Sequence, residues 1–334
     1  MSETTLYNAD CREVMQTIEG ESVQAIITDP PYEIGFTGKA WDKSGVAFDE
    51  NVWRECLRVL KPGGYLLAFG GARTYHRMAV AIEDAGFEIR DTIEWIYKNG
   101  LPKSSNVELT LAHMGGKKLS ESSREIRVGT ALKPAHEPIV MARKPLSEKT
   151  IAENYLRHGA GALNIGECRI PCKPWPFTKG FVRKPDSIFG RTNLTVNPPS
   201  KDGRFPANVL FEDDSLDVLG CDSRNFSLKV WEEKHGIVFS GKAGIKERQF
   251  SGGRNSHPTV KPIGVISWLV RLVSREGDIV LDPFMGSGTT GVVCKMFNRH
   301  FIGIDLEGEY VRISEERIAD VKDAPAKRDY CVGV

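Results

Sequence analysis

Short apolar runs alternate with helically spaced apolar positions along most of the chain. The apolar runs predict β-strands at residues 6–10, 23–28, 65–69, 87–97, 136–142, 279–281 and 301–305. Apolar residues three or four positions apart predict helices at 11–18, 52–60, 73–85, 289–298 and 310–321, and another that starts within 257–262. Strands that alternate with helices indicate an α/β fold. We therefore expect a doubly wound, mostly parallel sheet of seven strands, in which 87–97 pairs with 136–142.

One long region breaks this alternation. Residues 146–256 are rich in Pro, Gly, Asn and Arg, and no clear helical period appears in them before His257. The predicted organisation is therefore one α/β domain built from residues 1–145 and 257–322, with residues 146–256 inserted between its halves. Residues 323–334 are predicted to form a flexible tail.

A glycine turn follows the predicted strand at 279–281. Its sequence is Asp-Pro-Phe-Met-Gly-Ser-Gly-Thr-Thr-Gly, residues 282–291, and Gly286 and Gly288 allow a tight bend close to a nucleotide. The next strand ends at Asp305, about twenty residues beyond the glycines, where dinucleotide-binding folds carry an acid that binds ribose hydroxyls. A tight turn in any doubly wound domain is the alternative interpretation.

The composition of this turn disfavours a phosphate ligand. It lacks the Lys of a phosphate-binding P-loop, and Asp282 would repel a pyrophosphate. A cationic or neutral ligand with a ribose fits better. S-adenosylmethionine combines a ribose with a sulfonium and an α-ammonium, so the sequence predicts it as the cofactor.

A second turn, Asp29-Pro30-Pro31-Tyr32, follows the strand at 23–28, at the strand end where open α/β sheets carry out their chemistry. Pro31 restricts Pro30, which fixes the Pro30 carbonyl beside the Asp29 carboxylate. Two fixed acceptors suit both hydrogens of an exocyclic amine, and Tyr32 offers a ring on which a base lifted from a duplex can stack. The alternative is a rigid strand-to-loop turn without catalytic function.

Together these motifs resemble those of the S-adenosylmethionine-dependent amino-methyltransferases of DNA. Residues 284–288 resemble the FxGxG cofactor signature, residues 29–32 resemble the DPPY catalytic signature, and His-Pro-Thr-Val-Lys-Pro at 257–262 precedes the former. The order of the motifs resembles the permuted β class. The resemblance implies methyl transfer to N6 of adenine in double-stranded DNA after base flipping, because Asp at the first catalytic position accompanies adenine more often than cytosine. The alternatives are N4 of cytosine, an RNA or protein substrate, and a catalytically dead DNA-binding homologue.

Residue types and resemblance together predict the site. The predicted catalytic residues are Asp29, Pro30, Pro31 and Tyr32. The predicted cofactor-binding residues are Asp10, Thr259, Lys261, Asp282, Phe284, Gly286, Ser287, Gly288 and Asp305. By resemblance, Asp10 meets the adenine ring of the cofactor, although an ordinary helix N-cap explains it almost equally well. Thr259 and Lys261 are expected at the methionine end, and His257 is interpreted as a cap or core residue.

The charge distribution favours a DNA-facing segment. The formal net charge is only +1, but residues 133–205 contain thirteen Lys and Arg and six Asp and Glu. Aromatic residues lie among these cations, and family members of this motif order carry a target-recognition region here. A loop-rich structural insertion is the alternative for residues 146–256, and a surface loop with a buried Trp is the alternative for residues 34–48. The predicted DNA contacts are Lys39, Trp41, Arg183, Lys184, Arg191 and Arg204.

Composition bears on disulfides, metal sites and cellular location. The seven cysteines lack the paired spacing of a disulfide framework, and no second Cys or His pair accompanies Cys168 and Cys172, so neither disulfides nor a metal site is expected. The sequence has no signal-peptide pattern and no apolar run of about twenty residues, which predicts a cytoplasmic protein that does not span a membrane. By analogy with the family, a homodimer and a role in restriction–modification are also expected.

Overall fold

The computed structural model describes residues 2–35, 40–97, 100, 104–116, 128–171, 203–211, 227–235, 243–244 and 247–321, with the backbone alone for 40 and 41. The strands are β1 (Thr4–Asn8), β2 (Val23–Thr28), β3 (Leu60–Phe69), β4 (Glu88–Ile96), β5 (His136–Arg143), β6 (Val209–Phe211), β7 (Gln249–Phe250), β8 (Gly253–Arg254), β9 (Ile279–Asp282) and β10 (His300–Asp305). The helices are α1 (Cys11–Thr17), α2 (Glu50–Val59), α3 (Tyr75–Asp84), α4 (Val107–Met114), α5 (Ile151–His158), α6 (Leu228–His235), α7 (Ile263–Val273), α8 (Thr289–Met296) and α9 (Gly308–Ala319).

Eight of these strands form one sheet in the order β1-β10-β9-β2-β3-β5-β4-β6. The pairs β3–β5 and β5–β4 are antiparallel and the other neighbouring pairs are parallel. The predicted pairing of 87–97 with 136–142 is therefore confirmed, as is the mostly parallel α/β class. The sheet has one strand more than predicted, because the three residues of β6 join the edge beside β4 and are too few to show a period in the sequence.

Apolar cores cover both faces of the sheet, as a doubly wound fold requires. One core contains Leu67, Trp95 and the buried face of α7, and the other contains Ile26, Leu66 and the buried faces of α1 to α3. All the predicted helices are present. Because α7 is buried along nearly its whole length, it is almost continuously apolar rather than amphipathic.

Residues 146–256 show no clear helical period in the sequence, yet they contain α5 and α6. A further helix that no period predicted, α4, lies between β4 and β5. The start of α5 carries a capping box in which the Thr150 side chain accepts from the Glu153 amide and the Glu153 carboxylate accepts from the Thr150 amide. Each of these helices has eight residues, so its apolar period is too short to recognise without such a cap.

The beginning of the inserted region packs against the sheet. Asn154 on α5 is fully buried and donates hydrogen bonds to the carbonyl oxygens of Pro62 and Ala160, at 2.9 Å each. Asn164 donates to the carbonyl oxygens of Arg271 and Ser274, at the end of α7. The division at residue 146 stays a prediction, and the predicted tail at 323–334 lies outside the described residues.

Candidate active site

The two turns that the sequence singled out lie side by side. Strand β2 pairs in parallel with β9, with Ile26 opposite Leu281, so both strands deliver their following turns to the same edge of the sheet. A cavity of about 1080 Å³ lies between them, which is at the upper end of the range for small-molecule sites. It is lined by the following predicted site residues: Asp10, Asp29, Pro30, Pro31, Tyr32, Thr259, Lys261, Asp282, Phe284, Gly286, Ser287 and Asp305.

Both glycines of the turn have a left-handed backbone. Gly286 has φ +51°, and a Cβ there would lie 3.0 Å from Nε2 of His257. Gly288 has φ +74°, and a Cβ there would lie 2.7 Å from the side chain of Ser314 on α9. Gly286 therefore faces the cavity, whereas Gly288 shapes the turn by its close packing on α9 and is absent from the cavity wall.

Ser287 and Asp305 hold the turn from two sides. The Ser287 hydroxyl and carbonyl both accept hydrogen bonds from the Arg317 guanidinium, so this side chain is engaged with α9. The Asp305 carboxylate accepts hydrogen bonds from the backbone amides of Gly286 and Glu307, at 2.9 Å each. Burial raises the pKa of Asp305 to about 6. Each carboxylate oxygen retains a lone pair for a ligand, so its predicted ribose contact remains a prediction compatible with this geometry.

Asp282 connects the two turns internally. Its Oδ1 accepts hydrogen bonds from the Thr28 hydroxyl at 2.7 Å and the Phe284 amide at 3.2 Å, and its Oδ2 accepts one from the Thr290 hydroxyl at 2.8 Å. The residue is 3% exposed, and burial raises its pKa to about 7. These contacts join β2, β9 and α8, so Asp282 has a structural task in addition to the predicted attraction of a cationic ligand.

The burial of Asp282 predicts a pH-dependent stability. Because its pKa rises from 3.8 to about 7 on folding, the protein loses stability as the pH rises from about 4 through 7, by on the order of 4 kcal/mol from this group. Asp282→Asn keeps an acceptor and removes the charge, so we expect the variant to lack this loss. Urea unfolding of both proteins at pH 4 and pH 8 measures the difference. An Asp282→Asn variant whose stability relative to the wild type is the same at both pH values would contradict the assignment.

Asp10 is the N-cap of α1, as the alternative interpretation of the sequence expected. Its carboxylate accepts a hydrogen bond from the Arg12 amide at 2.9 Å and forms an ion pair with the Arg12 guanidinium at 2.6 Å. The guanidinium of Arg12 holds the pKa of Asp10 below its ordinary value. Since Asp10 also lines the cavity, a contact with the cofactor stays a prediction.

The turn after β2 is fixed by residues that the sequence did not reveal. The Thr74 hydroxyl donates to the Tyr32 carbonyl at 2.7 Å, and the Tyr32 hydroxyl donates to Oε2 of Glu137 at 2.8 Å. Glu33 has φ +55°, and its amide donates to the carboxylate of Asp42 at 2.9 Å. A non-glycine residue rarely adopts this conformation, so the contact with Asp42 stabilises a strained backbone directly after Tyr32.

One oxygen of the Asp29 carboxylate accepts a hydrogen bond, whereas the other accepts none from the described part of the chain. Its Oδ2 accepts a hydrogen bond from the Lys261 ammonium at 2.5 Å. Its Oδ1 is buried and accepts no hydrogen bond from the described part of the chain, although the side chain as a whole is 22% exposed in the cavity wall. Burial raises the pKa of Asp29, Lys261 lowers it, and the net direction is upward. A buried acceptor without a donor is costly, so this oxygen is suited to receive a hydrogen from a ligand.

Residues 257–261 line the same cavity as Asp29. The Thr259 amide donates to Nδ1 of His257 at 3.3 Å, and its side chain is exposed. His257 contacts the ring of Tyr310 edge-on, at 4.4 Å between ring centroids, and burial lowers its pKa to about 4, so it is neutral near pH 7. Thr259 remains a predicted cofactor contact, whereas the Lys261 ammonium lies on Asp29.

Most of the predicted DNA contacts lie outside the described residues. This applies to Lys39, Arg183, Lys184 and Arg191, and to the side chain of Trp41. Arg204 is described, and its backbone exchanges two hydrogen bonds with Ile170. Both interpretations of residues 34–48 and of the basic segment therefore remain open.

The cavity fits the predicted cofactor. The Gly286 position lacks a Cβ where one would meet His257, and the carboxylates of Asp10, Asp282 and Asp305 line the wall, which suits a ligand with positive charge and ribose hydroxyls. Among the described residues, no group of three or more His, Cys, Asp or Glu is arranged to hold a metal ion. Within the same residues, no helix has the length and apolar character needed to cross a bilayer. Fold and site thus define an α/β protein with a cavity suited to a nucleotide cofactor.

The family follows from comparison of the whole chain. The family model for DNA methylases of the N6/N4 type matches residues 23–316, and the chain belongs to this family. The cofactor of this family is S-adenosylmethionine, and the predicted resemblance is thereby confirmed.

Relatives and a solved structure agree with this membership. The chain is 26% identical over 310 residues to the type II methyltransferase M.HpaI of Haemophilus parainfluenzae, covering 91% of this chain and 70% of the relative. It is 24% identical to M.HindIII of Haemophilus influenzae, covering 95% and 96%. The structure of the cytosine-N4-specific PvuII DNA methyltransferase has a similar fold, with a TM-score of 0.53, 17% identity and coverage of 95% of this chain and 86% of that one.

Proposed function

We propose that this DNA methyltransferase transfers a methyl group to the exocyclic N6 amine of adenine in double-stranded DNA, after the base has left the duplex. The observation that carries the proposal is that Asp29 lines the cavity and that its buried Oδ1 has no hydrogen-bond donor among the described residues. Pro30 and Tyr32 line the same cavity, next to Asp29 in the chain. This combination accepts both hydrogens of an amine and stacks the ring to which the amine is attached.

Asp29 and Pro30 are assigned to the chemistry of the amine. The lone pair of an adenine amine is delocalised into the ring, so the nitrogen is a poor nucleophile. Hydrogen bonds from the amine to Asp29 and to the Pro30 carbonyl favour a pyramidal nitrogen and stabilise its developing positive charge. When bound, S-adenosylmethionine supplies an electrophilic methyl group on a sulfonium. The methylated nitrogen must then lose one proton, and we assign Oδ1 of an ionised Asp29 as its acceptor.

Other residues are assigned to binding. Asp305 and the turn around Gly286 are proposed to hold the ribose and the neighbouring atoms of the cofactor, with Asp10 and Phe284 at its adenine and Thr259 at its methionine end. Residues 146–256 are proposed to read the target sequence, with Arg183, Lys184, Arg191 and Arg204 as DNA contacts. Dimerisation and a cytoplasmic location are further expectations that the family analogy supports.

Cytosine N4 is the second candidate for the methylated position. The PvuII enzyme, whose fold is similar, is specific for cytosine N4, so a fold of this kind serves that base. Adenine and cytosine both present an amine conjugated to a ring, which the same pair of acceptors can bind. The Asp at position 29 favours adenine, because Ser more often accompanies cytosine in the resembling family.

The experiment is a transfer assay with product analysis. Wild-type protein and S-adenosylmethionine with a labelled methyl group are incubated with DNA, RNA and protein acceptors, and the modified DNA is digested to nucleosides for mass spectrometry. We expect label in DNA alone, as N6-methyladenine without new N4-methylcytosine. Methyl groups on cytosine N4 alone would refute the base assignment, and label in RNA or protein alone would refute DNA as the substrate.

A further inference from the structure

The side chains of Lys261, Glu137, Tyr32 and Tyr97 form a largely buried network next to Asp29. The Lys261 ammonium lies 2.5 Å from Oδ2 of Asp29 and 3.5 Å from Oε2 of Glu137 on β5. The same Glu137 oxygen accepts the hydrogen bond from Tyr32, and its Oε1 accepts one from the Tyr97 hydroxyl at 3.3 Å. The side chains of Lys261 and Glu137 are 10% and 16% exposed. The network therefore connects the turn after β2 to strands β4 and β5.

The surroundings of Lys261 suit a permanent cation. Its ammonium lies 5.2 Å from the centroid of the Tyr32 ring and 5.0 Å from that of Phe69, within the range of cation–π contacts. Burial opposes the charge on Lys261, but Asp29 and Glu137 outweigh it and raise its pKa above the ordinary value. The charge of a buried ammonium between two carboxylates is compensated by both. An ammonium that faced Asp29 alone would bind that carboxylate more strongly and compete with a ligand for its oxygens.

We propose that Lys261 is a positioning residue that keeps the Asp29 carboxylate ionised and engages its Oδ2, so that Oδ1 is presented to the target amine, while Glu137 holds Lys261 and Tyr32 in place. The inference rests on the proposed function, because it concerns how Asp29 is prepared for the amine. It gives Lys261 a task other than cofactor binding, and it assigns a role to Glu137.

The geometry explains why both residues are needed. Without Lys261, a buried Asp29 would take up a proton, and a protonated carboxyl is a weaker acceptor for an amine. Without Glu137, the Tyr32 hydroxyl and the Lys261 ammonium would lose a shared acceptor, and the ammonium would rest on Asp29 alone. The charged and titratable groups that act on Asp29 are Lys261, Glu137, Tyr32 and Asp282, and the charge of Lys261 also acts on His257.

The network predicts opposite pH shifts for two substitutions. Lys261→Met removes the cation that lowers the pKa of Asp29, so the acid limb of the kcat profile should move to higher pH by at least about one unit, a tenfold loss along that limb. Glu137→Gln removes a carboxylate that raises the pKa of Asp29, so its acid limb should move to lower pH. Lys261→Arg keeps the charge, and its acid limb should stay within about half a unit of the wild type.

The experiment measures kcat at saturating cofactor and DNA between pH 5.5 and 9.5, and cofactor affinity by calorimetry, for wild type and the three variants. An acid limb that stays unshifted in Lys261→Met would overturn the proposal, whether or not this variant also loses cofactor affinity tenfold. If Lys261→Met fails to fold, the Glu137→Gln variant tests the proposal instead. An acid limb of its kcat profile that stays in place or moves to higher pH would contradict the network. A wild-type enzyme that leaves DNA unmethylated would instead overturn the proposed function.

Discussion

Asp29→Ala is expected to abolish methyl transfer while the affinity for S-adenosylmethionine changes by less than about threefold. The reason is the proposed division of roles between two adjacent turns, since Asp29 follows β2, whereas Gly286 lies in the turn after β9 and Asp305 ends β10. An acceptor that stabilises charge only in the transition state contributes about a hundredfold to a thousandfold to kcat. We therefore expect a loss of at least this size, measured by labelled methyl transfer to DNA.

Two further variants control this prediction. Asp29→Asn retains the shape and one acceptor but not the charge, so we expect a smaller loss than for Asp29→Ala. Asp84 lies exposed at the end of α3, away from the cavity, and Asp84→Ala should retain wild-type transfer. If Asp29→Ala lost cofactor affinity in calorimetry and Asp84→Ala did not, Asp29 would belong to the cofactor site and the division of roles would be wrong.

Asp305→Ala is expected to weaken cofactor binding tenfold to a hundredfold, because each hydrogen bond to a charged group contributes about 1.5–3 kcal/mol. Gly286→Leu should have an effect at least as large, since a side chain there requires φ near +51° and meets His257. Because the pKa of Asp305 is raised to about 6, wild-type affinity should fall as the pH drops below 6, when the carboxylate is protonated. Asp305→Asn should bind weakly and without this pH dependence.

Calorimetric titrations between pH 5 and 8 test this prediction. Glu315 on α9 is exposed and offers a matched control, and Glu315→Ala should bind the cofactor like the wild type. Unaltered affinity in both Asp305→Ala and Gly286→Leu would show that the glycine turn is not the cofactor site.

Local sequence was sufficient to predict the two turns, because the backbone of each depends on adjacent residues. The prolines of residues 29–32 and the glycines of residues 286–288 dictate their own backbone, and the β2–β9 pairing places the turns together. The sequence predicted only that Asp282 would favour a cationic ligand, and it did not predict the hydrogen bonds of this carboxylate within the protein. Asp282 also accepts hydrogen bonds from Thr290, 8 positions away, and from Thr28, 254 positions away. The contact with Thr28 cannot be predicted from any pattern in the sequence.

The network around Asp29 could not be predicted from the sequence. Glu137 is one carboxylate in a strand that reads as apolar, and its position beside Tyr32 results from the antiparallel register in which it lies opposite Trp95. Asp42 supports the backbone of Glu33 from a turn nine residues away. Such contacts depend on the folded arrangement of β4, β5 and the turn after β2. The helix α5 differs, because the capping box at Thr150 and Glu153 was visible in the sequence and could have revealed it.

The structure of the protein in complex with target DNA and a non-reactive cofactor analogue tests the central claim most directly. We predict an extrahelical adenine stacked on Tyr32, with its N6 within about 2.6–3.2 Å of Oδ1 of Asp29 and of the Pro30 carbonyl oxygen, and with Lys261 still on Oδ2. A target base whose amine lies away from Asp29, or that stays stacked in the duplex with the cavity closed, would contradict the account.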